Sequence, residues 1–405
     1  MSAQEFDVIV YGASGFTGRL VAEYLLRTYG GGDGEVRWAI AGRDREKLKA
    51  VSIEIGAPMS LTLIEAKPSD TGALAASGHR ARGVITTAGP YQRYGEPLLA
   101  ACVRAGVDYV DLCGEPNWMA AMIAKYEKPA QESGARIVFS CGFDSIPFDC
   151  GVWFLQQEAK RRFGKPARDV RGRVRKMKGG FSGGTLASML ATQDAVRRDA
   201  SIGALLANPF ALSPRTLAPQ PDGAKPVHDA DIPTWSAPFV MATINTKNVH
   251  RTNALRAYPY GEDFTYSEMM ATGDGDAGKK RAFGAHGQSN MQSAMLGFAP
   301  TRWLLRRFAL PKPGEGPSKE ERETGMYDVL YVGTTADGQS LRAGVTGDRD
   351  PGYGSTSKMI TEAALCLKDT PRSETPGGVW TPAAAMGDAL IDRLATRAGL
   401  RFSIE

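Results

Sequence analysis

Gly12-Ala13-Ser14-Gly15-Phe16-Thr17-Gly18 follows directly on the largely apolar run Phe6 to Tyr11 and opens a helical pattern. A glycine triplet alone is a weak signal, but its place between a strand and a helix is what a dinucleotide-binding turn requires. Gly12 permits the tight turn, Gly15 lets backbone approach a pyrophosphate, and Gly18 lets the helix pack closely on the strand. Residues 12–18 are therefore expected to hold a diphosphate with the N–H groups and partial positive charge of a helix N-terminus. The alternative is a glycine-rich turn without a ligand.

Outward from this turn, short apolar runs alternate with longer helical stretches as far as Ser140, the rhythm of βαβ units. The strands expected are Phe6 to Tyr11, Val36 to Ala41, Leu61 to Glu65, Gly83 to Thr87, Tyr109 to Leu112 and Arg136 to Ser140. Helices are expected over Gly18 to Tyr29, Arg45 to Ile55, Glu96 to Ala105 and Trp118 to Ser133. Cofactor choice is read at the end of the second strand, where NAD enzymes usually carry an acid for the ribose hydroxyls. Here Gly42 and Arg43 stand there, and a planar guanidinium suits a phosphate, so NADP(H) is the expected cofactor. Alternatively Arg43 is a solvated loop charge and Asp44 contacts the ribose. The fourth strand ends in Thr87-Ala88-Gly89-Pro90-Tyr91, and the ligand crevice of a parallel sheet lies outside its carboxyl edge. Thr87, Gly89, Pro90 and Tyr91 are therefore expected beside the ribose and nicotinamide. Cys113-Gly114-Glu115 and Cys141-Gly142-Phe143-Asp144 should occupy the same rim.

After Cys141 the rhythm changes. Arg171, Arg173 and Arg175 alternate with Val170, Gly172 and Val174, which predicts a strand with one wet face. Tyr327 to Val332 and Leu341 to Val345 flank Asp337-Gly338, which predicts a hairpin with a tight turn. The fold class expected is α/β: a doubly wound Rossmann sheet with a second α/β domain on a mixed, largely antiparallel sheet. Its expected divisions are a nucleotide domain over 1–140, a substrate or dimerisation domain over 141–345, and C-terminal helices over 346–405 that return to the first domain. The Pro- and Gly-rich stretches Pro209 to Pro226 and Pro311 to Pro317 read as surface excursions. Lys178 to Thr185 is glycine-rich ahead of the helical Leu186 to Arg198 and is either an anion-binding turn or a flexible connection. Thr301 to Leu310 combines apolar and basic residues and suits a membrane surface, a greasy substrate cavity, a second subunit or the core.

Composition narrows the partners. A net charge of +5 over 405 residues, without a basic tail, gives no reason to expect nucleic acid. The five cysteines contain no C-x-x-C pair and the four histidines no ligand spacing, so neither a disulfide framework nor a metal is expected. The opening residues show no export signal and no run of about 18 apolar residues occurs, so a cytoplasmic protein is expected, with at most peripheral contact to the inner membrane face. There is no Tyr-x-x-x-Lys dyad of the short-chain dehydrogenases, no P-loop and no G-x-S-x-G. Most reductions need a proton donor, and Tyr91, Tyr94, Glu115 and Asp144 are the candidates by position.

Together with Ala41-Gly42-Arg43, Gly89-Pro90-Tyr91, Tyr94-Gly95-Glu96-Pro97, Cys141 to Pro147, Gly352-Tyr353-Gly354 and Lys358-Met359, the glycine turn resembles the saccharopine dehydrogenase-like oxidoreductases. Within them the chain is most similar to the branch of trans-acting enoyl reductases, over nearly its whole length. The resemblance implies a Rossmann domain, an inserted α/β domain on a mixed sheet, and returning helices over Ser355 to Leu367 and Pro382 to Leu400. It also implies NADP(H) and reduction of a carbon–carbon double bond in a lipid or acyl-type precursor; it assigns no catalytic residue. The competing readings are a non-catalytic NADP-binding protein docked on membranes and a saccharopine-type amino-acid dehydrogenase. A homodimer is a further expectation.

Overall fold

The computed structural model describes residues 4–32, 34–67, 80–180, 183–297 and 316–405. Its first half alternates β1 (Phe6–Tyr11), α1 (Phe16–Tyr29), β2 (Trp38–Gly42), α2 (Arg45–Glu54), β3 (Leu63–Glu65), β4 (Ala81–Thr86), α3 (Tyr91–Ala105), β5 (Asp108–Asp111), α4 (Pro116–Ser133) and β6 (Arg136–Val138). The strands lie in the order β3-β2-β1-β4-β5-β6, every neighbour parallel. β1, β2 and β5 are buried along their whole length, as a sheet covered on both faces requires. A seventh strand, β13 (Gly378–Trp380), adds in parallel to β6 from far down the chain.

Helix α3 begins at Tyr91, five residues ahead of the expected Glu96. The reason is Glu115, whose buried carboxylate accepts the N–H groups of Tyr91 at 3.0 Å and Gln92 at 2.8 Å. A carboxylate across two orphan amides fixes a helix start. The Tyr94-Gly95-Glu96-Pro97 run therefore lies inside the helix, where a Cβ at position 95 would meet the Trp118 ring at 2.7 Å.

Helix α5 (Ile146–Phe163) leads into the second sheet, ordered β14-β12-β11-β7-β10-β9-β8. Its strands are β7 (Asp169–Lys178), β8 (Val227–Asp229), β9 (Thr234–Pro238), β10 (Thr265–Gly273), β11 (Met326–Thr334), β12 (Ser340–Gly347) and β14 (Leu400–Ile404). Only β7 and β10 run parallel; the other pairs are antiparallel. Between these strands run α6 (Gly183–Arg198), α7 (Ala200–Ala207), α8 (Ala242–Leu255), α9 (Gly275–Gly297) and the short α10 (Lys319–Thr324).

Three expectations need correction here. The arginine face of β7 is not wet throughout: Arg171 and Arg175 are half-buried, and Arg173 is 2% exposed and makes a two-point ion pair with the buried Asp229 at 2.7 and 2.8 Å. Guanidinium groups alternate on a strand as regularly as solvated ones do, and periodicity cannot see a distant carboxylate. The β11–β12 turn is longer than Asp337-Gly338 alone. Thr335 N–H donates to Gln339 O at 2.8 Å, leaving a three-residue loop with Gly338 at φ +86°. The proline-rich Pro209 to Pro226 stretch runs mostly at the surface as expected, but Phe210 and Leu212 within it turn inward and are buried. Thr301 to Leu310 and most of Pro311 to Pro317 lie outside the described residues, as does part of Lys178 to Thr185.

The chain end ties the two sheets together. Helix α11 (Thr356–Asp369) packs on α1 and on β4 and β5, and α12 (Pro382–Arg393) packs on α5 and α11. β14 then joins β12 in the second sheet, so the tail is not helical throughout and serves both layers. Glu362 on α11 is fully buried and accepts from Tyr24 Oη at 2.7 Å, Tyr29 Oη at 2.9 Å and Arg393 Nε at 2.6 Å. Burial and that carboxylate push the Tyr29 phenol up to about 12. Removing one member of such a network strands the others away from water. Glu362→Ala should cost about 3–5 kcal/mol in urea unfolding at neutral pH; a change within error would show that these bonds do not hold the tail in place.

Candidate active site

The glycine turn sits at the carboxyl end of β1. Gly12 has φ +84°, and a Cβ there would crowd Thr87 Oγ1 at 3.2 Å. A Cβ on Gly18 would lie 2.3 Å from Gly12 O, so α1 rests directly on the turn that precedes it. Gly15 is the N-cap of α1 with extended backbone, and no side chain caps the helix. A Cβ at Gly15 would touch only Gly12 O, at 3.2 Å. The first turn of α1 thus presents backbone donors and a dipole end over an exposed glycine, a cradle that fits a diphosphate. Ala13 is buried and Ser14 exposed, while Thr17 is half-buried. Phe16 turns toward the chain end, its ring edge-on to Tyr353 at 5.1 Å.

At the end of β2, a Cβ on Gly42 would contact Leu48 and approach Ser14 Oγ, which places this strand end beside the glycine turn. Arg43 is exposed and has no carboxylate partner among the described residues. Its charge reaches Tyr11, where it partly offsets the rise that burial imposes on the phenol. Asp44 is engaged otherwise, accepting Lys47 N–H at 3.1 Å as the N-cap of α2. Of the two, the Arg43 guanidinium is the one left without a bond among the described residues.

The β4 turn lies against the first. Thr87 N–H donates to Tyr11 O at 3.1 Å, and Thr87 Oγ1 faces Gly12 O at 3.4 Å. Pro90 is the N-cap of α3. Above Gly89 stands α6: a Cβ at position 89 would come within 3.8 Å of Ser188 Oγ, and Gln92 Nε2 donates to Thr192 Oγ1 at 3.0 Å.

Of the four proton-donor candidates, two have structural work. The Tyr91 hydroxyl donates to Thr86 O at 3.0 Å and accepts Leu112 N–H at 3.0 Å, so it joins the ends of β4 and β5. Burial holds its phenol well above the ordinary value. Glu115 is the α3 cap described above. Both corrections have one cause: position on a rim does not say which way a side chain points. Tyr94 is 44% exposed on α3.

Asp144 differs. One carboxylate oxygen is shielded from solvent with no hydrogen-bond partner among the described residues, and burial raises its pKa to about 7. Neighbouring structure locks its turn. Phe143 N–H donates to Thr356 Oγ1 at 3.0 Å, Ser145 Oγ accepts from Asn248 Nδ2 at 2.7 Å, and a Cβ at Gly114 would lie 3.9 Å from Asp144 Oδ2. Asp111 fastens the adjacent turns from below by accepting the N–H groups of Cys113 at 2.9 Å and Ser140 at 3.1 Å. On the far side stands Glu268 of β10, 2% exposed, which accepts from Asn245 Nδ2 at 2.7 Å and Tyr266 Oη at 2.9 Å. Burial first, and the negative charge of Asp144 in part, raise Glu268 to about 8.

Sequence reasoning missed Asn245, Asn248 and Glu268. Helix α8 carries Asn245, Lys247, Asn248, His250, Arg251, Thr252 and Asn253, a polar run that reads as a solvated face, yet all seven are buried. The available signal was its poverty in charge-paired surface residues, which periodicity does not score.

The matching profile is that described as the saccharopine dehydrogenase NADP binding domain, over residues 8–138. Trans-acting enoyl reductases from Mycobacterium tuberculosis (H37Rv) and Mycobacterium ulcerans are 36% and 37% identical, over 96% and 97% of this chain and 96% of theirs. A second M. tuberculosis protein, provisionally given the same name, is 41% identical over 96% of both chains. The chain belongs to the trans-acting enoyl reductase family. It is an NADP-dependent oxidoreductase with a saccharopine dehydrogenase-type NADP-binding domain. Saccharomyces cerevisiae saccharopine dehydrogenase (L-Glu forming) shares the fold of this family member, with a TM-score of 0.54 at 14% identity over 99% of this chain and 100% of that one. No helix among the described residues is long and apolar enough to cross a membrane.

Arg43→Ala should weaken NADPH binding by about 1.5–3 kcal/mol, the value of a charged hydrogen-bond set, and leave NADH binding nearly unchanged. Calorimetric titration with both nucleotides checks this; equal losses would remove Arg43 as the discriminator.

Proposed function

We propose that this chain reduces the carbon–carbon double bond of an enoyl, acyl-type substrate with NADPH, and that Asp144 donates the proton. The names of the full-length relatives support the reaction class. The observation that carries the residue assignment is the shielded, unpartnered Asp144 oxygen at the carboxyl rim of the nucleotide sheet.

In this reading the backbone of Gly12 to Gly18 holds the diphosphate, Arg43 beside Gly42 holds the adenosine phosphate, and Thr87, Gly89 and Pro90 border the nicotinamide end. NADPH, when bound there, supplies the hydride. The chain's own task is then to protonate the carbon next to the carbonyl. A carboxyl group held near neutrality by burial suits that task, since at pH 7 it is both protonated often enough and acidic enough. Among the described residues no cation pairs with Asp144 to keep it ionised. α6 stands beside Gly89 at this end of the site. A cytoplasmic setting accords with five buried free thiols.

The sign of the pH dependence follows from the raised pKa. A general acid works protonated, so kcat/KM is full below about pH 7 and falls about tenfold per unit above it. Asp144→Asn should abolish this limb and lower kcat by roughly 10²- to 10⁴-fold, with NADPH affinity retained. Stopped-flow oxidation of NADPH with an enoyl thioester across pH 5.5–9 tests it; an unchanged profile in the variant would remove Asp144 from the proton-transfer role.

A further inference from the structure

Asn245 and Asn248 stand one turn apart on α8 and are both fully buried. Each spends its amide N–H on the site wall: Asn245 on Glu268 Oε1 at 2.7 Å, Asn248 on Ser145 Oγ at 2.7 Å. Each leaves its carbonyl oxygen shielded and without a donor, as does Asp144 next to Ser145. The three orphan oxygens belong to side chains linked through Ser145 and Glu268, and none has a donor among the described residues. Even a protonated Asp144 brings one proton, which cannot serve both amide oxygens and the substrate. Flipping Asn248 would turn its oxygen toward the Ser145 hydroxyl, whereas flipping Asn245 would turn its oxygen on Glu268, an acceptor when ionised, so Asn245 is fixed in its orientation wherever Glu268 carries its charge. A buried acceptor left alone costs free energy, and such groups persist where a ligand completes them.

Resting on the enoyl reductase reading, we infer that Asn245 and Asn248 recognise a hydrogen-bond donor on the substrate: an O–H or amide N–H within a few bonds of the double bond. The same chemistry has two sources, a hydroxyl on the acyl chain and the amide of a thioester carrier arm. A plain hydrocarbon enoyl group meets neither amide oxygen. Because both oxygens are buried acceptors, they reject a donor-free analogue more strongly than an apolar pocket rejects an added hydroxyl. The site therefore selects on polarity close to the reacting bond while the remainder of the acyl chain goes unread by these two residues.

Four probes separate the sources: 4-hydroxy-trans-2-enoyl and trans-2-enoyl chains, each as the N-acetylcysteamine thioester, which has an amide, and as the ethyl thioester, which has none. Saturated counterparts of all four, titrated into the NADP⁺-loaded protein, read binding without turnover. We expect at least one donor to raise affinity, and kcat/KM in the reactive series, by about tenfold or more over the donor-free ethyl thioester. The hydroxyl contrast and the amide contrast identify which donor is read. In Asn248→Leu and Asn245→Leu, checked for native melting and NADPH affinity, that ratio should collapse toward unity. Equal binding of all four saturated probes, or an undiminished ratio in both folded variants, would overturn the inference. If the saturated probes bind with the expected selectivity but no enoyl probe consumes NADPH, the reductase reading fails and the recognition stands.

Discussion

The structure depends on one close approach: α1 rests on the carbonyl of Gly12 so tightly that only hydrogen fits at position 18. That contact aims the helix N-terminus across the carboxyl edge of the parallel sheet, and the β2 and β4 turns then fall on either side of it. Gly12 N–H is bonded to Ala41 O and Thr87 N–H to Tyr11 O, so the three strand ends form one hydrogen-bonded rim. The position of the diphosphate cradle is therefore a property of backbone, and side chains have only to tune what binds beside it.

Burial of charge does the remaining organisation. Glu115, Asp111 and Asp149 each sit almost or fully out of solvent, and each spends its oxygens on backbone or hydroxyl donors that join separate segments. Asp149 accepts Ala383 N–H at 2.8 Å at the start of α12 and so links α5 to the chain end. Asp144 lies among these carboxylates in sequence but is only half-buried, and its one shielded oxygen lacks their donors. The unpartnered oxygen is what singles it out, since burial lifts Asp111 and Asp149 to about 7 as it does Asp144.

The C-terminal segment closes the site from behind. Thr356 accepts Phe143 N–H and donates to Pro351 O at 2.8 Å, so the Gly352-Tyr353-Gly354 turn braces the strand end that carries Asp144. Phe16 of the glycine turn packs on Tyr353 of the same segment. Both the nucleotide end and the acid end of the site thus lean on residues near position 355, which separates neither from the other's rigidity.

Local chemistry was legible in the sequence. Gly12, Gly15 and Gly18 declared a βα turn because a positive φ at position 12 and the close approach at position 18 demand glycine, and the parallel strands declared themselves as short, unbroken apolar runs. Arg43 pointed to a phosphate because the residue follows a strand end directly. The tertiary structure alone decided which rim side chains are spent on bonds: Tyr91 and Glu115 turn into bonds with Leu112 and the α3 amides, while one Asp144 oxygen finds no partner among the described residues. It alone brought Asn245, Asn248 and Glu268 to Asp144, and it alone buried Arg173 with Asp229. Backbone preference and periodicity act over a few residues, whereas the desolvation and pairing of a polar group depend on partners that the chain delivers from a hundred residues away.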